Sequence, residues 1–473
     1  MNIPLPPSRF SILRPFRAAS LAAALLASPA LLVNHASAGT TFNGNAAAVT
    51  GNWDSAGNWE GTLPTFNATT DLFFRNFSTN NRTTSLIASA KTVRSLTFNS
   101  NVNSGFEIRL TTGNNGAPMN LTMGNATNAA AITVDSGAVG NITIGKGSGT
   151  TGNDGNLILA NDLAVAQNSA NATLIVDRPI TESGGSYGLT KNGAGTLTLS
   201  GNNTYTGATT VNAGTVTIGA TGRLGSGSYA QNITNDGTFI YSGTTAQTLS
   251  GSISGTGALT KNAASTLTLS GNNTYTGTTL VTAGTLLVNG SLAAGSSVTV
   301  DSGATLGGSG TINGAAVVNG NLRPGNSPGV LTFGSSLTLS ATSAVTMELN
   351  GTVRGSGYDG IDVTGALTYG GALTINVGSA FLGSTETFSL FTSTSQSSDF
   401  ASMSLEGAYG SGSFINSSGV WNLTDSSGNQ WSFSQATGDL GFTAVPEPST
   451  WALLAASGLI LLFVSRRRMV RKK

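Results

Sequence analysis

The chain has 473 residues, 64 of them glycine and none cysteine, and only 9% of it is charged. The missing thiols exclude a disulfide framework and thiolate metal sites, while low charge with abundant Gly, Asn and Thr points away from disorder and toward many short strands joined by tight turns. The formal charge of +1 hides a skewed distribution: between Gly39 and Val445 there are 12 Lys+Arg against 19 Asp+Glu, a net charge of −7 without a basic stripe, so no nucleic-acid partner is expected.

Residues 1–38 read as a secretory signal peptide. Arg9, Arg14 and Arg17 form its basic region and Ala18–Val33 its apolar region. Ala36-Ser37-Ala38 is an A-x-A site, at which signal peptidase would cut before Gly39. No twin arginine is present, which favours the general secretory route. The one histidine, His35, falls inside this segment, so the mature chain is expected to contain none.

Residues 39–130 are expected to hold an N-terminal cap and the first strands. The run Gly51–Trp59, GNWDSAGNW, carries two of the five tryptophans. An aromatic-rich start suits a solenoid, whose open end needs covering; the alternative is a sugar stacked on Trp53 and Trp59. Thr92–Phe98 is a good first strand.

Residues 131–376 are expected to form the solenoid itself. Short runs such as Ala131–Val134, Asn141–Ile144 and Asn156–Leu159 are each bounded by Gly, Asn or Asp. Leu189–Ile218 then returns, shifted by 70 residues, as Leu259–Val288, with 22 of 30 positions identical. In Thr196-Leu197-Thr198-Leu199 the apolar side chains alternate, so one face of the strand is buried and the other wet. Neither copy has enough apolar surface for a core of its own, but stacked neighbours share one. An offset of 70 residues fits roughly three coils. Residues 377–444 are richer in aromatics and read as a closing β cap or small terminal module.

Residues 445–473 form a three-part tail. Val445-Pro446-Glu447-Pro448 precedes the apolar run Trp451–Val464, and Arg466, Arg467, Arg468, Arg471, Lys472 and Lys473 follow. The apolar run is short of the ~20 residues of a full span. With Ser465 and snorkelling arginines it is expected to reach as one transmembrane helix over 451–465, its basic end kept cytoplasmic.

Three of these stretches carry resemblances. LTKNGAGTLTLSGNNTYTGATTVNAGTV, with its second copy, strongly resembles the autotransporter-associated β-strand repeat. The resemblance implies a right-handed parallel β-helix of the pectin-lyase-like kind and export to the bacterial envelope; it implies no enzyme activity. GNWDSAGNW resembles the openings of proteins with this repeat. Leu322–Gly329, LRPGNSPG, and Tyr358–Val363, YDGIDV, resemble turn wording near the ends of such passengers. The tail resembles the PEP-CTERM sorting signal. That implies recognition by an inner-membrane exosortase, cleavage near Val445–Pro448, and onward passage to the cell surface or extracellular matrix.

Catalytic chemistry is hard to assemble from this composition. Without histidine or cysteine in the mature chain there is no Ser-His-Asp or Cys-His nucleophile and no His-based zinc site, and no metal or cofactor is expected. Gly145–Gly149 is Gly-rich but lacks phosphate-loop spacing. Asp135 and Asp301 each sit in V-D-S-G turns. Asp359 and Asp362 are the tightest acid pair, and on one strand they would face opposite sides. A self-transporting passenger would carry a membrane β-barrel of alternating strands, where this chain has the sorting tail. The expectation is an exported surface or matrix protein acting structurally or in adhesion, with extracellular polysaccharide as a possible partner. The alternative is a carbohydrate-active or carbohydrate-binding β-helix, which two acids on one solenoid face, or Trp53, Trp59 and Trp421 exposed in a row, would support.

Overall fold

The computed structural model describes residues 40–42, 50–53, 63–74, 83–85, 89–100, 105–110, 117–145, 154–378 and 385–445. The expected signal peptide with Ala36, Ala38 and Gly39, Trp59, the Pro446–Pro448 motif, the helix 451–465 and the basic tail lie outside these residues.

The described chain is almost wholly β, with one short 3-10 turn at Gly225–Gly227. Its strands stack in parallel on three faces of a β-helix. Face 1 is a nine-stranded parallel sheet ending at Ile253–Ser254, and a five-stranded sheet from Ser291–Leu292 to Phe391–Thr392 continues it beyond Asn273. Among the described residues face 2 runs from Thr50–Asn52 through Thr83–Ser85, Phe106–Arg109, Gly140–Ile144 and the repeats to Ser395–Ser397. Face 3 starts at Lys91–Val93 and reaches Ser402–Gly407, so parallel pairing continues beyond residue 376. In most strands the inward residues are Leu, Ile, Val or Phe and the outward ones mostly Thr, Ser or Asn, as in Thr196–Leu199 and Thr215–Ile218. The inward rows merge into one continuous core, which no single coil contains.

The two repeat copies do not occupy equivalent positions. Leu189 lies on face 1, in register with Thr209, then Ile233, then Ile253. Its counterpart Leu259 lies on face 2, in register with Phe239, Val216 and Leu197. Steps of 20, 24 and 20 residues carry face 1 from Leu189 to Ile253. The 70-residue offset is therefore three coils plus one face, not three coils.

The physical reason is that the shared residues serve corners. Lys191 is buried, and its ammonium donates to the carbonyls of Asn192, Gly193 and Ala213 at 2.9, 2.7 and 3.1 Å. Lys261 does the same to Ala263 and Ala283. The Asn203 side chain accepts from the Ile180 N–H and donates to Gly201 and Arg223 carbonyls. Asn273 repeats this with Ile253, Gly271 and Ser291. Buried Tyr205 bonds Thr209 at 2.8 Å, and Tyr275 bonds Thr279 at 2.6 Å. Each device satisfies backbone or hydroxyl groups that a bend in a dry interior would leave unpaired, and it works at whichever corner it occupies.

Both ends are closed by aromatic packing. Trp53 is fully buried, stacked on Phe66 at 5.7 Å and close to Phe74. At the other end a five-stranded antiparallel sheet takes the spatial order Glu386–Ser389, Asp439–Thr443, Gln430–Ser434, Val420–Thr424, Ile415–Ser417. Tyr369, Phe391, Phe400 and Phe433 pack it onto the last coils.

Candidate ligand cleft on the solenoid flank

Face 3 carries a polar cleft of about 280 Å³ lined by Arg323, Pro324, Thr346, Glu348, Asp359, Thr374, Asn376 and Glu406. Its floor follows from strand alternation. Thr346 pairs with Thr374, and Glu348 with Asn376, on adjacent coils; Asn376 then pairs with Glu406 on the next. These are the outward positions of strands whose other residues fill the core. Arg323 comes from the coil before, where Leu322 pairs with Val345.

Two turns form the wall, and one carboxylate ties them together. Asp359 is 1% exposed. Its Oδ1 accepts the Gly329 N–H at 2.7 Å and its Oδ2 the Glu348 N–H at 2.8 Å. The LRPGNSPG and YDGIDV stretches, 30 residues apart at this contact, thus meet. Ser327 donates to the Glu348 carboxylate at 2.5 Å. Burial pushes the Asp359 carboxyl up to about 6, aided by the nearby Glu348 charge and outweighing the two backbone hydrogen bonds that pull it down. Among the described residues, Arg323, Thr346, Asn376 and Glu406 make no side-chain hydrogen bond or ion pair and keep their full bonding capacity for a ligand.

The acid pair read from the sequence separates as alternation requires. Asp362 turns to Arg354, at 2.8 and 3.2 Å, and accepts from Thr392. These hydrogen bonds and the guanidinium charge hold it below the ordinary carboxylate range despite burial. Asp135 and Asp301 sit in matching turns, their carbonyls accepting from Ala138 and Ala304. Trp53 is buried, and Trp421 is 5% exposed with its indole N–H on Gln435, so neither offers a ring to a sugar. Val445 is exposed, and its N–H donates to Asn429. No group of three His, Cys, Asp or Glu among the described residues is arranged to hold a metal.

Asp359→Asn tests the tie between the turns. The amide keeps one acceptor and turns its NH2 toward the other N–H, so about 1–3 kcal/mol of stability is expected to be lost at pH 7 in urea unfolding. The pH dependence also changes sign-specifically. The folded carboxyl titrates near 6 against 3.8 unfolded, so the native state holds the proton more tightly and this group's contribution falls as pH rises from about 4 to 6. The asparagine variant lacks that decline.

Glu348, Asn376 and Glu406 were not visible as a group in the sequence. They lie 28 and 30 residues apart, and only the coil register brings them together.

Comparison with known proteins finds likenesses to three stretches of the chain and to one relative. The passenger-associated-transport-repeat model matches residues 189–218 and 259–288. The PEP-CTERM protein-sorting motif matches residues 444–468. The adhesin BmaC autotransporter of Brucella suis biovar 1 is 33% identical over 150 residues, covering 26% of this chain and 4% of that relative. The chain therefore spans a small fraction of the adhesin it matches. Its repeats and its sorting motif mark it as an exported surface protein of a Gram-negative-type bacterium.

Proposed function

We propose that this is a structural or adhesive component of the cell surface or extracellular matrix, a rigid β-helix that presents one long uncharged face. In this reading signal peptidase removes residues 1–38. The 451–465 helix holds the chain in the inner membrane, and an exosortase-type enzyme cuts near Val445–Pro448 and releases the body outward. The basic residues Arg466–Arg468, Arg471, Lys472 and Lys473 fix the orientation. The domain plan is a cap and first strands over 39–130, a solenoid over 131–376 and a closing module over 377–444.

The observation that carries the reading is the outward row of face 2. From Thr143 it passes through Ile175, Thr198, Thr217, Ile240, Thr260, Leu280, Thr299, Val317, Thr338 and Thr368 to Ser397 without one charge. Twelve strands at ~4.8 Å spacing make a flat array about 50 Å long. Because the repeat's polar signature is turned inward at the corners, this face is free for neutral polymers or neighbouring copies.

The intact mass of protein from the native surface fraction tests it. A species beginning at Gly39 and ending near Val445–Pro448 is expected; full-length C-termini confined to the inner membrane would overturn it. A second reading, glycan binding, is favoured by the cleft, where Glu348, Asp359 and Glu406 gather on one flank. Catalysis is less well supported, because both oxygens of the buried Asp359 are already engaged with backbone N–H groups.

A further inference from the structure

We propose that the face 3 cleft binds a polysaccharide bearing free amines, a glucosamine-type polymer, through Glu406 at one end, Arg323 at the other and Glu348 between them. This rests on the surface reading and names a ligand class for one site within it.

Charge sets the first constraint. Three carboxylates and one guanidinium line the cleft, so its field selects a cation over an anionic polymer. Polarity sets the second. Apart from Pro324, the lining is hydroxyl, amide or charged, with no aromatic wall. A methylene-rich polyamine finds little apolar contact there, whereas a ligand hydroxylated along its length meets Thr346, Thr374 and Asn376. Shape sets the third. From the Arg323 strand to the Glu406 strand there are three coil steps, about 14 Å at ~4.8 Å each, which is the reach of a short oligosaccharide with one ring seated in the cavity. Arg323, unpaired, is placed to donate to ring and hydroxyl oxygens; Glu406, unpaired, and the remaining oxygen of Glu348, two coils away, accept from separate ammonium groups along the polymer. Asp359 acts as a positioning residue, since its two backbone bonds fix the turns that frame the cleft and so reduce the ordering cost of binding.

The test is calorimetric titration of the purified full chain in detergent, at low salt and pH 6.5, with fully deacetylated glucosamine hexamer and with its N-acetylated counterpart. Saturable binding of the deacetylated hexamer is expected, weakened about tenfold or more by acetylation and by Glu406→Gln, each of which removes a charge-assisted hydrogen bond. Glu406 and Arg323 are both exposed, so Glu406→Gln and Arg323→Gln leave the core untouched, and unchanged thermal melting checks this. No binding, equal affinity for both hexamers, or unaltered affinity in Glu406→Gln overturns the assignment. Purified protein is used, so this outcome is independent of where the cell delivers the chain, which the mass measurement decides.

Discussion

Gly284→Ala is expected to destabilise the folded chain by about 2–5 kcal/mol. Gly284 has φ +71°, where an L side chain costs roughly 1–2 kcal/mol. A Cβ there would also lie 2.1 Å from the Ala263 carbonyl oxygen and 2.5 Å from that of Ser265, both backbone atoms of the preceding coil. Backbone held in a parallel ladder has little room to retreat, so overpacking adds roughly 1–3 kcal/mol. Gly214, at the same place in the first copy, has φ +69° and a Cβ position 2.4 Å from the Gly195 carbonyl, and its alanine variant should behave alike. Gly303→Ala is the control. Its φ is +84°, yet nothing lies within 4 Å of the added carbon, so only the conformational cost of about 1–2 kcal/mol applies. Urea unfolding of the three variants separates the two contributions. Equal losses at Gly284 and Gly303 would rule out close coil approach as the reason for glycine in the repeat.

Stability is expected to rise with pH from about 8 to 10 and then to fall, giving an unusually alkaline maximum. Burial without a carboxylate partner pushes the Lys191 and Lys261 ammoniums down to about 8, against 10.5 for a free lysine. Above pH 8 the folded lysines release their protons while the unfolded ones keep them. The unfolded state then binds more protons, and stability increases with pH. Buried tyrosines reverse the trend. Burial raises Tyr229 and Tyr275 to about 12 and Tyr205 well above its ordinary value of 10. From pH 10 upward the unfolded chain therefore loses protons that the folded chain retains, and stability declines. Thermal melting from pH 7 to 11.5 reads the profile directly. Lys191→Met with Lys261→Met should flatten the rising limb and leave the tyrosine limb in place, although both replacements also strip partners from corner carbonyls and lower the whole curve. A rising limb that survives the double replacement would show that other groups produce it.

Much of the architecture was legible because strand alternation is local. Thr196–Leu199 announces its buried and wet faces in four residues, and the structure shows that alternation. Trp53, buried against Phe66, is no sugar platform. Face assignment was not legible. Corner lengths vary from coil to coil, so the 19-residue step from Leu197 to Val216 is followed by one of 23 to Phe239, and no fixed period marks where each strand lands. For the same reason the sequence sets Asp359 beside Asp362, three residues on, while the fold sets it beside Glu348. The cleft depends on register across three successive coils, which is a property of the assembled stack and not of any window of sequence.

The displacement of the second repeat by one face has a consequence for how such a chain can lengthen. If the unit of construction were a whole turn, every tandem insertion would need to match the circumference or the stack would shear. Here Lys261, Asn273 and Tyr275 serve on different sides from Lys191, Asn203 and Tyr205 with matching bonds. The word therefore encodes a bend and the strands flanking it, indifferent to which vertex of the triangle it occupies. A copied segment made of whole strands and bends can then be spliced in without completing a whole turn, since the rotation it introduces is absorbed by corners that are interchangeable. Such tolerance frees the outer surface as well. Each insertion rotates later residues onto a different side, so a single duplication relocates what the filament displays without redesigning what holds it together.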